Sequence, residues 1–149
     1  AKSAFAAVKG DGSVVTWGDA GYGGDCSSVR AELRLAQHIV GTRSAFAATR
    51  SDGTVVTWGD VDFGGGSTGL ATQLCGVHSV AATGGAFAAL RIDGSVVAWG
   101  NADYGGDMGL VRAALADEVQ LLASTKSAFA AVKVLGSVVT WGFAGHGGD

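Results

Sequence analysis

The sequence predicts an all-β repeat protein: a propeller-like array of stacked β-hairpin units, each with a short helical turn. Three observations predict it. Phe5, Phe46, Phe87 and Phe129 each sit in an AFAA tetrapeptide, at spacings of 41, 41 and 42 residues. Trp17, Trp58, Trp99 and Trp141 follow these phenylalanines by 12 residues and account for all four tryptophans. Finally, 26 glycines and no proline recur at fixed places between β-prone runs, which marks turns rather than a disordered or collagen-like chain. A fixed period of this length is the signature of a repeat architecture. Residues 1–149 form one repeat domain, with units at about 1–41, 42–82, 83–124 and an incomplete 125–149.

Each unit opens with a hairpin. In the first, Ala4 to Lys9 and Ser13 to Trp17 flank Asp11-Gly12. A D-G step between such runs predicts a hairpin turn, because Gly adopts the positive φ the turn needs. Gly12, Gly53, Gly94 and Gly136 hold this place; Asp11, Asp52 and Asp93 precede the first three and Leu135 the fourth. AFAAV alone has helical propensity, but the neighbouring SVVTW is β-branched and the turn pairs the two. Phe5 and Ala7 fall on one face, Ala6 and Val8 on the other, so both faces are apolar. An isolated hairpin is marginal, so neighbouring units must cover it. A β-solenoid is the alternative architecture, since 41 residues is short for a propeller blade.

After Trp-Gly comes a loop with an aromatic-type residue and glycines: Tyr22-Gly23-Gly24, Phe63-Gly64-Gly65, Tyr104-Gly105-Gly106 and His146-Gly147-Gly148. Val29 and Leu33, Leu70 and Leu74, and Val111 and Leu115 then stand at i and i+4, the spacing of a helical turn. Asp25, Ser27 or Thr68 could cap it. A third strand, closing each unit, is predicted over His38 to Thr42, Val77 to Thr83 and Val119 to Thr125. The first hairpin lacks such a leading strand, and neither end carries a polar capping unit. The ends are therefore expected to meet other protein in an open arc.

The string AFAATRSDGTVVTWGDVDFGG, residues 45–65, resembles the repeat of the regulator of chromosome condensation family, in a short AFAA…DG…WGD variant. Asp52-Gly53, Trp58-Gly59 and Phe63-Gly64 carry the resemblance, which runs through all four units. Family repeats are longer, and carry Gly-Gln-Leu-Gly where this chain has Gly-Gly-Asp. The resemblance implies blades of a propeller. It does not imply nucleotide exchange, which in that family depends on an inserted wedge that these four copies do not contain.

Ten Lys and Arg against thirteen Asp and Glu leave no basic face for nucleic acid. No apolar run is long enough to insert in a membrane as a helix. Cys26 and Cys75 occupy different places in their repeats and read as ordinary thiols, although a disulfide is open. The segment Gly64 to Gly69 has glycines but no Lys, so it is not a phosphate loop. Asp19 and Asp25, with Asn101, Asp103 and Asp107 as a second version, are the calcium candidates, because hard cations favour oxygen-rich bent loops. The competing reading, turn capping, is favoured by Gly66 and Phe143 at the corresponding positions elsewhere. His38, His78 and His146 do not align, and no catalytic constellation is readable. No cofactor is expected.

The function expected from the sequence is a non-enzymatic protein-interaction or scaffold module, a subunit or fragment of a larger assembly, with other protein chains as partners. The alternative is a surface or secreted module binding carbohydrate or another ligand through Tyr22, Phe63, Tyr104 and His146. The sequence indicates no compartment.

Overall fold

A computed structural model describes residues 1–149. Its strands are β1 (Ala4–Val8), β2 (Val14–Gly18), β3 (Ala36–Gly41), β4 (Ala45–Arg50), β5 (Val55–Gly59), β6 (Val77–Ala82), β7 (Ala86–Arg91), β8 (Val96–Gly100), β9 (Val119–Ser124), β10 (Ala128–Lys133) and β11 (Val138–Gly142). They form four separate antiparallel sheets: β1-β2, β3-β4-β5, β6-β7-β8 and β9-β10-β11. Separate antiparallel sheets remove the solenoid alternative, in which successive turns of chain would pair in parallel.

The repeat dictates each sheet's register. Phe5 pairs with Trp17, Phe46 with Trp58, Phe87 with Trp99 and Phe129 with Trp141. At the first hairpin tip, Lys9 N–H donates to the Ser13 carbonyl at 2.8 Å and Gly12 N–H to the Lys9 carbonyl at 2.9 Å. Gly12 sits at φ +77, so this is a three-residue loop ending in a left-handed glycine. Asp11, Asp52 and Asp93 each accept from the backbone N–H and the hydroxyl two residues on. The fourth tip closes the same way without an Asp, around Gly136 at φ +87. The glycine therefore sets the turn and the carboxylate braces it.

The i, i+4 pairs of the connectors make single turns rather than helices. Leu33, Leu74 and Leu115 N–H groups donate to Val29, Leu70 and Val111 carbonyls at 3.1, 2.8 and 3.1 Å. Those leucines are buried between sheets. Each connector then feeds the outer strand of the following sheet, so β3 belongs with the hairpin at 45–59. The first sheet has two strands, β1 and β2.

The sheets stack face to face, and the core lies in three layers between them. Ala4 and Val14 of the first sheet pack against Phe46, Ala48, Val56 and Trp58 of the second. Ala45, Ala47 and Val55 pack against Phe87, Ala89, Val97 and Trp99. Ala86, Ala88, Leu90 and Val96 pack against Phe129, Ala131 and Trp141. In every layer an alanine-rich face meets the Phe–Trp face of the next unit. Small residues on one side let the backbones approach, and the stacked rings fill the space between them.

Candidate interaction site at the ends of the array

Strand pairing places Phe and Trp side by side on one face of each hairpin, and the rings stack in all four units. Their centroids lie 5.4, 5.4, 5.3 and 5.1 Å apart, in chain order. Three of these pairs are buried by the preceding unit. The first is not: Phe5 is 63% exposed and Trp17 52%, with Val15 also open beside them. This head face is the sheet surface that has no preceding unit against it.

Each buried indole is also latched. Trp58 Nε1 donates to the Gly23 carbonyl at 3.0 Å, Trp99 to Gly64 at 3.1 Å and Trp141 to Gly105 at 3.0 Å. The acceptor glycines come from the loop of the preceding unit, at φ +87, +92 and +89. A Cβ on them would lie 2.7, 2.6 and 2.7 Å from the Phe46, Phe87 and Phe129 rings. Only Gly supplies both the left-handed backbone and the room for the ring. Gly147 holds the same conformation, at φ +94, with nothing within 4 Å. A pocket of about 90 Å³ lies there, lined by Ala123, Ser124, Thr125, Ala128, Ala130 and Gly147, together with Phe129. Beyond it Val138 is exposed. This is the tail face.

A backbone relay crosses the same layers. Lys2 N–H donates to the Arg43 carbonyl at 2.6 Å, Arg43 N–H to Gly84 at 3.0 Å and Gly84 N–H to Lys126 at 2.7 Å. The relay ends at a Lys2 carbonyl and a Lys126 N–H that it does not use. No side-chain pattern marks these four positions, so they were not legible in the sequence. The glycine latches were more accessible: a Trp and an aromatic-Gly step that both recur in every unit invite the question of what bonds the indole.

The other sequence-derived residues take local roles. Asp19 and Asn101 accept from Gly21 and Asp103 N–H at 2.8 and 3.0 Å. Asp25 and Asp107 accept from Ser27 and Gly109 N–H at 2.8 and 2.9 Å, and Asp107 pairs with Arg112. Asp103 lies exposed in the turn that Asn101 caps. Asp19, Asn101, Asp25 and Asp107 thus each accept from a turn amide. Hydrogen bonds from Ser13, Thr54 and Ser95 hydroxyls hold Asp11, Asp52 and Asp93 below the ordinary carboxylate pKa, and the Ser27 amide does the same for Asp25. Tyr22, Phe63 and Tyr104 are half-buried against the three core layers, whereas His146 is exposed. Thr42, Thr83 and Thr125 hydroxyls donate to the Phe63, Tyr104 and His146 carbonyls. Cys26 is buried and Cys75 half-buried, both as free thiols.

No family model matches the chain, and no curated protein matches it. Solved structures do. Prp20p of Saccharomyces cerevisiae superposes with a TM-score of 0.68 at 20% identity, over 95% of this chain and 43% of that one. In a complex with Kap60 the same protein is described as yeast RCC1. The fold is that of the regulator of chromosome condensation propellers. Human WBSCR16 shares this propeller fold, with a TM-score of 0.61 at 18% identity over 94% of this chain and 45% of that one. The computationally designed Ika4 protein scores 0.50 at 14% identity, over 96% and 87%. The chain thus spans less than half the length of Prp20p and WBSCR16, and contributes four blades of the propeller type.

Proposed function

We propose that the chain is a non-enzymatic protein-interaction and scaffold module, working as part of a larger assembly. The observation that carries this reading is the open Phe5–Trp17 face, whose three counterparts are all covered by protein. A contiguous exposed aromatic and aliphatic patch on a soluble sheet is the mark of an interaction surface. Trp is also among the residues that anchor such interfaces. The propeller fold supports the reading: Prp20p was characterised with its binding to Gsp1p and histones, and was solved bound to Kap60.

Placing a photo-crosslinking amino acid at position 17 in the producing cell tests the reading. Protein adducts at position 17, with few at the solvent-facing control Ala31, are expected. Equal, background labelling at both positions would overturn it.

A further inference from the structure

We propose that the cleft between the second and third sheets binds a small organic carboxylate, held by the Thr49 hydroxyl and the His38 and His78 imidazoles. This goes beyond the interaction reading and stands on other residues. The cleft has a volume of about 580 Å³ and lies between β3 with the end of β4 on one side and β6 on the other. That is the size of a small-ligand site. His38, Thr49, His78 and Ser79 supply polar groups, and Val40 and Val80 an apolar wall.

The first observation is a hydroxyl without a partner. Thr49 is 7% exposed and lines the cleft. The other buried threonines use their hydroxyls inside the chain: Thr42 and Thr83 donate to the Phe63 and Tyr104 carbonyls, and Thr57 bonds to Ser67. The Thr49 hydroxyl bonds to no group of the chain, yet no fully enclosed side-chain oxygen or nitrogen lacks a partner, so this hydroxyl opens on the cleft. Such a group takes its partner from whatever enters.

The second observation is that the polar set breaks the repeat. Strand register aligns Thr49 with Val8, Leu90 and Val132. It pairs His38 with Thr49, where the next two sheets pair Ser79 with Leu90 and Leu121 with Val132. Leu90 is buried in its layer, whereas the smaller Thr49 leaves room. Paired residues have Cβ atoms within about 5.5 Å, so one ligand reaches both. Across the cleft, His78 holds the bulged position of β6 that Gln37 and Gln120 hold in β3 and β9. The fold does not ask for these residues, since its other copies use Val, Leu or Gln there.

The chemistry selects the charge of the ligand. Hydroxyl and imidazole groups both donate. No Asp, Glu, Lys or Arg lines the cleft. Arg50, next to Thr49, is turned to the Arg34 carbonyl and Asp52, and Arg91 of β7 to the Cys75 carbonyl and Asp93. The titratable groups facing the cleft are therefore His38 from β3 and His78 from β6, with no carboxylate of the chain to occupy their N–H groups. Imidazole is the side chain that gains positive charge between about pH 8 and pH 5. Donors and chargeable rings together fit an anion, and Val40 and Val80 fit a short aliphatic tail on it.

NMR of the three histidine rings during titration with sodium butyrate, with n-butanol as the uncharged control, tests this. His38 and His78 should follow one saturable curve, tighter at about pH 6 than at about pH 8, while His146, outside the cleft, stays still. Thr49→Val installs the residue found at Val8 and Val132, so it should fold and melt like the parent yet bind butyrate about tenfold more weakly. His78→Gln installs the residue of Gln37 and Gln120 and should weaken binding in the same way, read on His38. Absence of a saturable shift overturns the proposal. So does a Thr49→Val chain that binds like the parent, or n-butanol that binds as well as butyrate. Each of these leaves the interaction reading, tested at position 17, standing.

Discussion

The Phe5–Trp17 and Phe87–Trp99 pairs are built alike and end in opposite environments. Their rings stack at 5.4 Å and 16° in the first case and at 5.3 Å and 28° in the second. Phe87 is fully buried while Phe5 is 63% exposed. The stack is thus a property of the hairpin, set by cross-strand register. Burial is a property of the neighbour. One repeat sequence encodes a surface that is core in three places and an open face in the fourth.

Truncation should separate the two properties most sharply. Phe87→Ala empties a ring site between two sheets and is expected to cost about 3–5 kcal/mol. Phe5→Ala gives up the stack and little else in the single chain, about 1 kcal/mol. Urea unfolding of both variants, under conditions where the chain is monomeric, checks the contrast. Equal losses would mean that the layers do not carry the stability.

The loop glycines repeat the comparison with smaller numbers. Gly64→Ala and Gly147→Ala both place a Cβ at positive φ, a strain of about 1–2 kcal/mol. Gly64→Ala also drives that Cβ to 2.6 Å from Phe87, adding about 1–3 kcal/mol of overpacking. Thermal melts should rank Gly64→Ala well below Gly147→Ala.

A third pair concerns the residue leading into each outer strand. Gly76 takes a left-handed φ of +61 there, and Leu35 and Glu118 do so at +62 and +57 against their steric preference. All three are held by carbonyls that accept from hairpin-tip amides of Ser51, Ile92 and Val134. Leu35→Gly should therefore stabilise the chain by about 1 kcal/mol, read as a raised melting temperature.

The smallest expected effect is on pH dependence. The Thr54 hydroxyl and amide lower the folded pKa of Asp52 below its ordinary 3.8. A depressed carboxylate adds stability that is fully present above the unfolded value and is lost as pH falls through the folded one. Asp52→Asn keeps an acceptor in the turn and removes that titration. Its acid-unfolding profile should be shallower below pH 3.8, with the neutral melting temperature nearly unchanged.

Much of this was legible in the sequence because it is local or periodic. The D-G step announced the tips, and the shared 12-residue offset of Phe and Trp announced the repeat. Apolar residues on both hairpin faces announced the stacking. Asp25 and Asp107 each accept from the backbone amide two residues on. The parts that were not legible depend on partners far along the chain. Trp58 finds its acceptor at Gly23, 35 residues earlier, across a sheet boundary. The relay from Lys2 to Lys126 uses backbone atoms alone, so residue identity carries no trace of it. The left-handed backbone of Leu35 is likewise invisible, because tertiary hydrogen bonding imposes it on a residue that does not favour it.

Every tryptophan stacks on its hairpin's Phe, and three of the four are also bonded to a loop glycine. Hydrogen exchange of the four indole N–H groups, resolved by NMR, tests it most directly. Trp58, Trp99 and Trp141 should exchange slowly at any protein concentration, because they are bonded to Gly23, Gly64 and Gly105. Trp17, which is exposed and has no such bond, should exchange rapidly. Four indoles that exchange alike would contradict the account.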